Sequence, residues 1–271
     1  MLKERTLVVI VLLPLGLALI YLGGWIFAAF IALILALAAG EFSNLYRAGG
    51  LQPARLLMIA SVLALTFFRA WDGFASAPWL ISLLVLVTMS WHLLAFERGR
   101  DQAATDFAVS LAGSIYLGWL GPYLLSLRDL DGGLYWLLLA LFSVWFADSG
   151  AYFIGTRFGR HQLSPRLSPK KTWEGYFGGI LAGVLGSLLM VWILRHWAGP
   201  DLIQYWHGAV LGLVLAVVTT LGDLGESMIK RQFGVKDSSH LIPGHGGVFD
   251  RIDTWLWAAA ISYHFIVWLF V

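Results

Sequence analysis

"MLKERTLVVIVLLPLGLALIYLGG", Met1 to Gly24, can be read in two ways that lead to different proteins. A basic head followed by an apolar run is the plan of a secretory signal peptide, which is removed from the mature chain. Here, however, no small-residue cleavage site follows the run, and a second apolar segment begins at once at Trp25. We read Met1 to Gly24 as an uncleaved first membrane span, the first of a series.

A helix that crosses a bilayer needs about 20 mostly apolar residues. Candidate spans fall at 6–23, 25–43, 56–71, 78–96, 105–126, 133–155, 174–197, 204–225 and 253–271. The fold expected is all-α, a polytopic integral membrane protein of about nine transmembrane helices. Composition agrees: 59% of the 271 residues are hydrophobic and 13% are charged, against about 25% charged in a soluble domain. Mean hydropathy is +0.77. Residues 1–130 read as about five N-terminal helices, and 131–271 as a catalytic transmembrane region with two polar cytoplasmic loops, 156–173 and 226–252. The other loops are short, which excludes a soluble domain. The absence of cysteine excludes disulfides, thiolate metal sites and a cysteine nucleophile.

Glycines within the spans, as in "GGILAGVLG" (Gly178 to Gly186), predict close helix approach. Trp25, Trp71, Trp79, Trp136, Trp197 and Trp206 fall near expected span ends, where interfacial aromatics sit.

Nine spans put the termini on opposite sides, so the positive-inside rule can choose the orientation. With the N-terminus cytoplasmic, the inside holds Lys3, Arg5, Arg47, Arg55, Arg98, Arg100, Arg157, Arg160, Arg166, Lys170, Lys171, Lys230, Arg231, Lys236 and Arg251. The outside keeps Arg69, Arg128 and Arg195, which completes the 18 basic residues. The bias points to a cytoplasmic N-terminus.

Ionisable residues at membrane depth are costly and are functional suspects by default. Three acidic sites stand out: Asp148 in "WFADSGAYFIG", Asp223 and Glu226 in "TTLGDLGES", and Asp250 and Asp253 in "GGVFDRID". The topology brings all three to the cytoplasmic face. Asp148 with Tyr152, Asp223 with Ser227, and Asp250 with Asp253 stand at helical spacing, which turns each pair to one side. Carboxylates near hydroxyls, without thiolates, suit a hard cation such as Mg²⁺. The plainer alternative is that each acid pairs with a nearby base.

Basic residues supply the complement. Lys170 and Lys171 in "SPKKTWEG", with Lys230, Arg231 and Lys236, could clamp phosphate oxygens. Ser168, Thr172 and Glu174 surround the first pair just before a helix, whose N-terminus would attract phosphate. Arg157, Arg160 and Arg166 read better as orientation or lipid-binding charges. In "PGHGG", Pro243 to Gly247, a rigid turn is followed by Gly246 and Gly247, which let backbone N–H groups come close to a phosphate; His245 could donate to it. No soluble-type nucleotide motif is present.

Ser227 to Asp253, "SMIKRQFGVKDSSHLIPGHGGVFDRID", resembles the signature of the phosphatidate cytidylyltransferases, or CDP-diacylglycerol synthases. That signature runs Ser, Lys-Arg, Lys-Asp, Pro-Gly-His-Gly-Gly, then Asp-Arg-apolar-Asp, here Ser227, Lys230-Arg231, Lys236-Asp237, Pro243 to Gly247 and Asp250-Arg251-Ile252-Asp253. "DSGAYFIG" (Asp148 to Gly155) and "SPKKTWEG" (Ser168 to Gly175) also look like family segments, while the N-terminal spans match only in hydropathy. The resemblance implies that CTP and phosphatidate give CDP-diacylglycerol and pyrophosphate with Mg²⁺. It also implies a metal centre on Asp223 and Asp250, a potassium ion beside magnesium, and a homodimer. Asp148 could support or join the metal ligands. A nucleic-acid partner is not expected, and the host is expected to be a bacterial inner membrane. Two rivals remain from the residues alone. A membrane lipid or polyprenol kinase would need the same cations, and an anion transporter would need charges near the midplane of several spans.

Overall fold

The computed structural model describes residues 2–199 and 203–270. Lys3 and Arg5, which enter the charge count, have side chains outside the described residues, and Val271, the end of the ninth expected span, lies outside them too. Ten helices follow in order: α1 (Leu2–Leu22), α2 (Gly24–Ala48), α3 (Arg55–Asp72), α4 (Ala77–Glu97), α5 (Ala103–Leu120), α6 (Tyr123–Arg128), α7 (Gly133–Phe158), α8 (Trp173–Ala198), α9 (Tyr205–Gln232) and α10 (Phe249–Leu269). Between α7 and α8 lies an antiparallel hairpin, β1 (Gln162–Ser164) and β2 (Ser168–Thr172).

The fold is that of an all-α polytopic membrane protein. Among the described residues, six helical stretches are long and apolar enough to cross a membrane: Gly24–Ala48, Ala77–Glu97, Ala103–Arg128, Gly133–Phe158, Trp173–Trp197 and Tyr205–Gln232. Helices α1, α3 and α10 occupy the other three expected spans but do not meet that measure. In α1 the described side chains begin at Ile10, which leaves the shorter apolar stretch Ile10–Leu22; α3 carries Arg55, Arg69 and Asp72 in 18 residues, and α10 opens on Asp250, Arg251 and Asp253. The outer surface is apolar, as lipid requires. On α4, Leu86, Trp91, Leu93, Leu94 and Phe96 are all more than half exposed, a patch that a soluble monomer would not leave in water.

Two expected boundaries move. The 226–252 loop is shorter than its polarity suggests, because α9 runs on to Gln232 and α10 starts at Phe249; Ser227, Lys230 and Arg231 are therefore helical. The 156–173 loop contains the hairpin, with Gln162 opposite Thr172 and Ser164 opposite Ser168.

Contacts divide the chain into two compact units: Met1–Ser126 with Ile229–Ile252, and Leu127–Met228 with Asp253–Val271. The polar segment from Ile229 thus packs with the N-terminal helices, not with the C-terminal half in which the sequence places it. In the first unit, the turn after α2 is tied down by buried groups of α5: Asp106 accepts from the Gln52 amide at 2.7 Å and from Arg100 Nε at 2.7 Å, and Ser110 Oγ accepts from the Ala54 amide at 2.8 Å.

In the second unit, the main packing is α7 against α8, and small residues make it. A Cβ on Gly179 would lie 2.9 Å from the Ala147 carbonyl oxygen, and one on Gly183 would lie 3.2 Å from the Ala147 Cβ. Ser187 Oγ meets Ser143 Oγ across the helices at 2.7 Å. Trp25, Trp71, Trp79, Trp197 and Trp206 are about half exposed or more, as interfacial rings would be. Trp136 is not one of them: at 3% exposure it is a core residue, stacked on Phe270 with ring centroids 5.7 Å apart.

Candidate functional site

In the second unit the acids gather. Asp223 and Glu226 stand one turn apart near the end of α9, and Asp253 in the second turn of α10 joins them. One carboxylate oxygen from each of the three lies within 4.8 Å of the others, the spacing of a cation site. Glu226 and Asp253 are buried, and the Asp223 side chain is a third exposed. Lys171 of β2 makes an ion pair with Asp223, and Ser227 Oγ donates to Asp223 Oδ1 at 3.4 Å. Asp148 on α7 is outside the triad but within electrostatic range of both Lys171 and Asp223. Tyr152, one turn on, is exposed and its ring meets Phe153.

The entry to α8 is a cap and a clasp. Thr172 Oγ1 accepts the Gly175 amide at 3.1 Å, as an N-cap threonine does. Glu174 is engaged elsewhere than expected: Oε2 accepts the amides of Arg160 and His161 at 3.1 and 3.2 Å, and Oε1 lies 2.6 Å from His161 Nδ1. Its carboxylate closes the base of the hairpin. Ser168 lies in the β2 register and Lys170 is exposed.

In the first unit, Asp250 is the centre of a tight arrangement. Oδ1 accepts from Lys230 Nζ at 2.7 Å, while Oδ2 accepts the amides of Ser238 at 2.9 Å and Gly247 at 2.7 Å and faces Ser238 Oγ at 3.0 Å. Both ends of the ion pair are buried. So Asp250 does pair with a base, Lys230 in the last turn of α9, within the same chain. The glycines expected to approach a phosphate approach carboxylates here. Gly246 sits at φ +84°, where a Cβ would come 2.6 Å from Asp250 Oδ2, and a Cβ on Gly247 would come 2.5 Å from Glu41 Oε2. His245 is half-buried, with Nδ1 3.4 Å from the Pro243 carbonyl oxygen. Arg231 Nη1 donates to the Val235 carbonyl at 3.1 Å, and Lys236 and Asp237 are exposed.

Sequence reasoning missed Glu41. This acid of α2 is 6% exposed and holds the loop 238–249 through both oxygens. The signal was present, since Glu41 is the one acid in the second expected span, 25–43. It stands far outside the polar segments and so drew no attention.

Residues 3–269 match the model of the family described as "Cytidylyltransferase family". The chain belongs to the cytidylyltransferase family. Its relatives extend the match over nearly the whole length. A phosphatidate cytidylyltransferase of Pseudomonas aeruginosa is 37% identical, covering 99% of this chain and 97% of the relative. One from Synechocystis is 35% identical over 98% of this chain and 97% of the relative. A third, from Staphylococcus epidermidis, is 35% identical over 94% and 95%. The family match includes the N-terminal helices, where the sequence offered only hydropathy, and so takes in Glu41 as well as the polar segments.

Proposed function

We propose that this protein is a phosphatidate cytidylyltransferase, making CDP-diacylglycerol and pyrophosphate from CTP and phosphatidate. The observation that carries this is near-full-length similarity to proteins of that name, 37% identical in the Pseudomonas case. The chemistry suits the residues. A phosphate oxygen of phosphatidate attacks the α-phosphorus of CTP; as that P–O bond forms, the bond from the α-phosphorus to the oxygen bridging to the β-phosphate breaks, and pyrophosphate leaves in line. The nucleophile is already anionic near neutral pH, so no strong base is required. The barrier to overcome is repulsion between two polyanions.

Mg²⁺ fits the donor set. Asp223, Glu226 and Asp253 offer three converging carboxylate oxygens, hard donors in a chain without thiols. When bound there, Mg²⁺ would neutralise charge on the triphosphate as a Lewis acid. Asp250, which the resemblance pairs with Asp223 at the metal, also orients Lys230. Lys170, Lys171, Lys230 and Arg231 supply the cationic groups for phosphate oxygens, and Asp223 pairs with Lys171. The basic bias of the loops supports a site on the cytoplasmic face, where CTP arrives. A homodimer, and potassium beside magnesium, rest on the resemblance alone.

The deciding experiment incubates purified protein with α-labelled CTP, phosphatidate and Mg²⁺. Labelled CDP-lipid with release of pyrophosphate is the expected result. CDP with a newly phosphorylated lipid would assign a kinase instead.

A further inference from the structure

Glu41 is bound more completely than a chance buried acid. Oε1 accepts the Val248 amide at 3.0 Å and Ser239 Oγ at 2.6 Å; Oε2 accepts the Phe249 amide at 2.8 Å and Ser238 Oγ at 3.0 Å. Each oxygen thus takes one amide and one hydroxyl. The two amides are at the start of α10, where the first N–H groups of a helix have no intrahelical acceptor. An N-cap side chain serves later N–H groups of the first turn, and here that residue is Val248, which has no side-chain oxygen to offer. Glu41 supplies the cap from 207 residues away.

The cap is also linked to the proposed site. Ser238 Oγ lies 3.0 Å from Glu41 Oε2 and 3.0 Å from Asp250 Oδ2. A hydroxyl has a single proton to donate, so two carboxylates share one donor, and the position of each depends on the other. Asp250 in turn holds Lys230 at 2.7 Å. Gly247 leaves the room for this, since a Cβ there would meet both Ser238 Oγ and Glu41 Oε2.

We infer that Glu41 is a positioning residue for catalysis: through Ser238 and the start of α10 it fixes the Asp250–Lys230 pair, although it lies in the N-terminal half, far in sequence from the polar segments. This rests on the cytidylyl-transfer activity proposed above. A simple structural tie would stabilise the fold and leave turnover per folded molecule unchanged; a positioning residue changes turnover itself.

Glu41→Gln discriminates because its shape is the same, while one oxygen becomes an NH₂ that must face a backbone N–H, donor against donor. In purified protein, E41Q is expected to lower kcat by about 10–100-fold, the scale of a misplaced catalytic geometry, with KM for CTP within about threefold. Glu41→Asp keeps both oxygens and is expected to recover part of the loss. Ser238→Ala should also lower kcat, and the E41Q/S238A double variant should be little worse than E41Q, because both act through one hydroxyl. Leu35→Ala, a core change on the same helix, should lower thermal stability while keeping kcat per folded molecule. Amide hydrogen exchange gives a readout independent of turnover: 238–249 should exchange at least about tenfold faster in E41Q, with the rest of α2 unchanged. Wild-type kcat in E41Q, or a loss that only tracks folded protein as in L35A, overturns the inference. Unchanged exchange at 238–249 overturns it as well. If the wild type itself makes no CDP-lipid, the proposed activity fails instead, and hydrogen exchange still decides whether Glu41 holds the loop.

Discussion

Asp223 and Asp250 differ in what a single-atom change would report. The Asp223 side chain is a third exposed and Asp250 is 2% exposed. Asp223→Asn removes one anion from the triad and from Lys171, with little packing at stake. Asp250→Asn also removes the charge from one side of a buried ion pair, and breaking such a pair costs about 3–5 kcal/mol. Both are expected to cut Mg²⁺-dependent turnover by on the order of 10²-fold or more, D223N at near-wild-type thermal stability and D250N with a lowered unfolding temperature. Exposed Arg157 should tolerate Ala within about twofold. Turnover assays beside melting curves in detergent check all three, and near-normal turnover in D223N would remove the triad from the chemistry. The sequence made these acids legible because they fall in polar segments at the ends of apolar runs. It did not make their partners legible. That Asp250 sits against Lys230 and Ser238, and that Gly246 and Gly247 wrap carboxylates, depends on a loop conformation that no periodicity encodes. Glu41 was hidden for a related reason, since its four donors come from residues about 200 positions away.

Hydropathy locates an element by where apolarity stops, whereas a helix stops where its hydrogen bonds stop. That difference explains why α9 continues to Gln232 beyond the apolar run and why the 226–252 loop shrinks. The hairpin was invisible for another reason: "SPKKT" has no apolar alternation and a single branched residue, Thr172, at its end. Close helix packing, by contrast, was legible from glycine alone. With 2.9 Å from a Gly179 Cβ to both the Ala147 carbonyl oxygen and the Ala151 Cβ, Gly179→Val is expected to push α7 and α8 apart and cost about 1–3 kcal/mol, as overpacking does. Gly16→Ala is the matched control, since nothing lies within 4 Å of its added Cβ. It should change stability by no more than about 1 kcal/mol, in the stabilising direction. Thermal unfolding in detergent separates the two, and equal melting temperatures would mean that the α7–α8 seam has slack.

The molecule as a whole raises the question of which face the chemistry uses. The charge bias predicts the hairpin inside and the turn before α7 outside. Because α7 runs from Gly133 to Phe158 and is long and apolar enough to cross, residues on its two flanks should meet opposite solvents. The chain has no cysteine, so a single introduced thiol can report each side without background. Asp131→Cys, in the exposed turn before α7, and Arg166→Cys, at the exposed hairpin turn, avoid every residue assigned to the chemistry. A membrane-impermeant maleimide is expected to label R166C in inverted vesicles and D131C in right-side-out vesicles. CDP-lipid synthesis by both variants would confirm that they are folded. The mirror pattern would reverse the orientation and move the triad to the face without CTP. Labelling of both from one side would mean that α7 does not cross, and the expected nine-span topology would fall with it. Only the first pattern lets a lipid headgroup held at the membrane and a nucleotide supplied by the cytoplasm meet at the same depth.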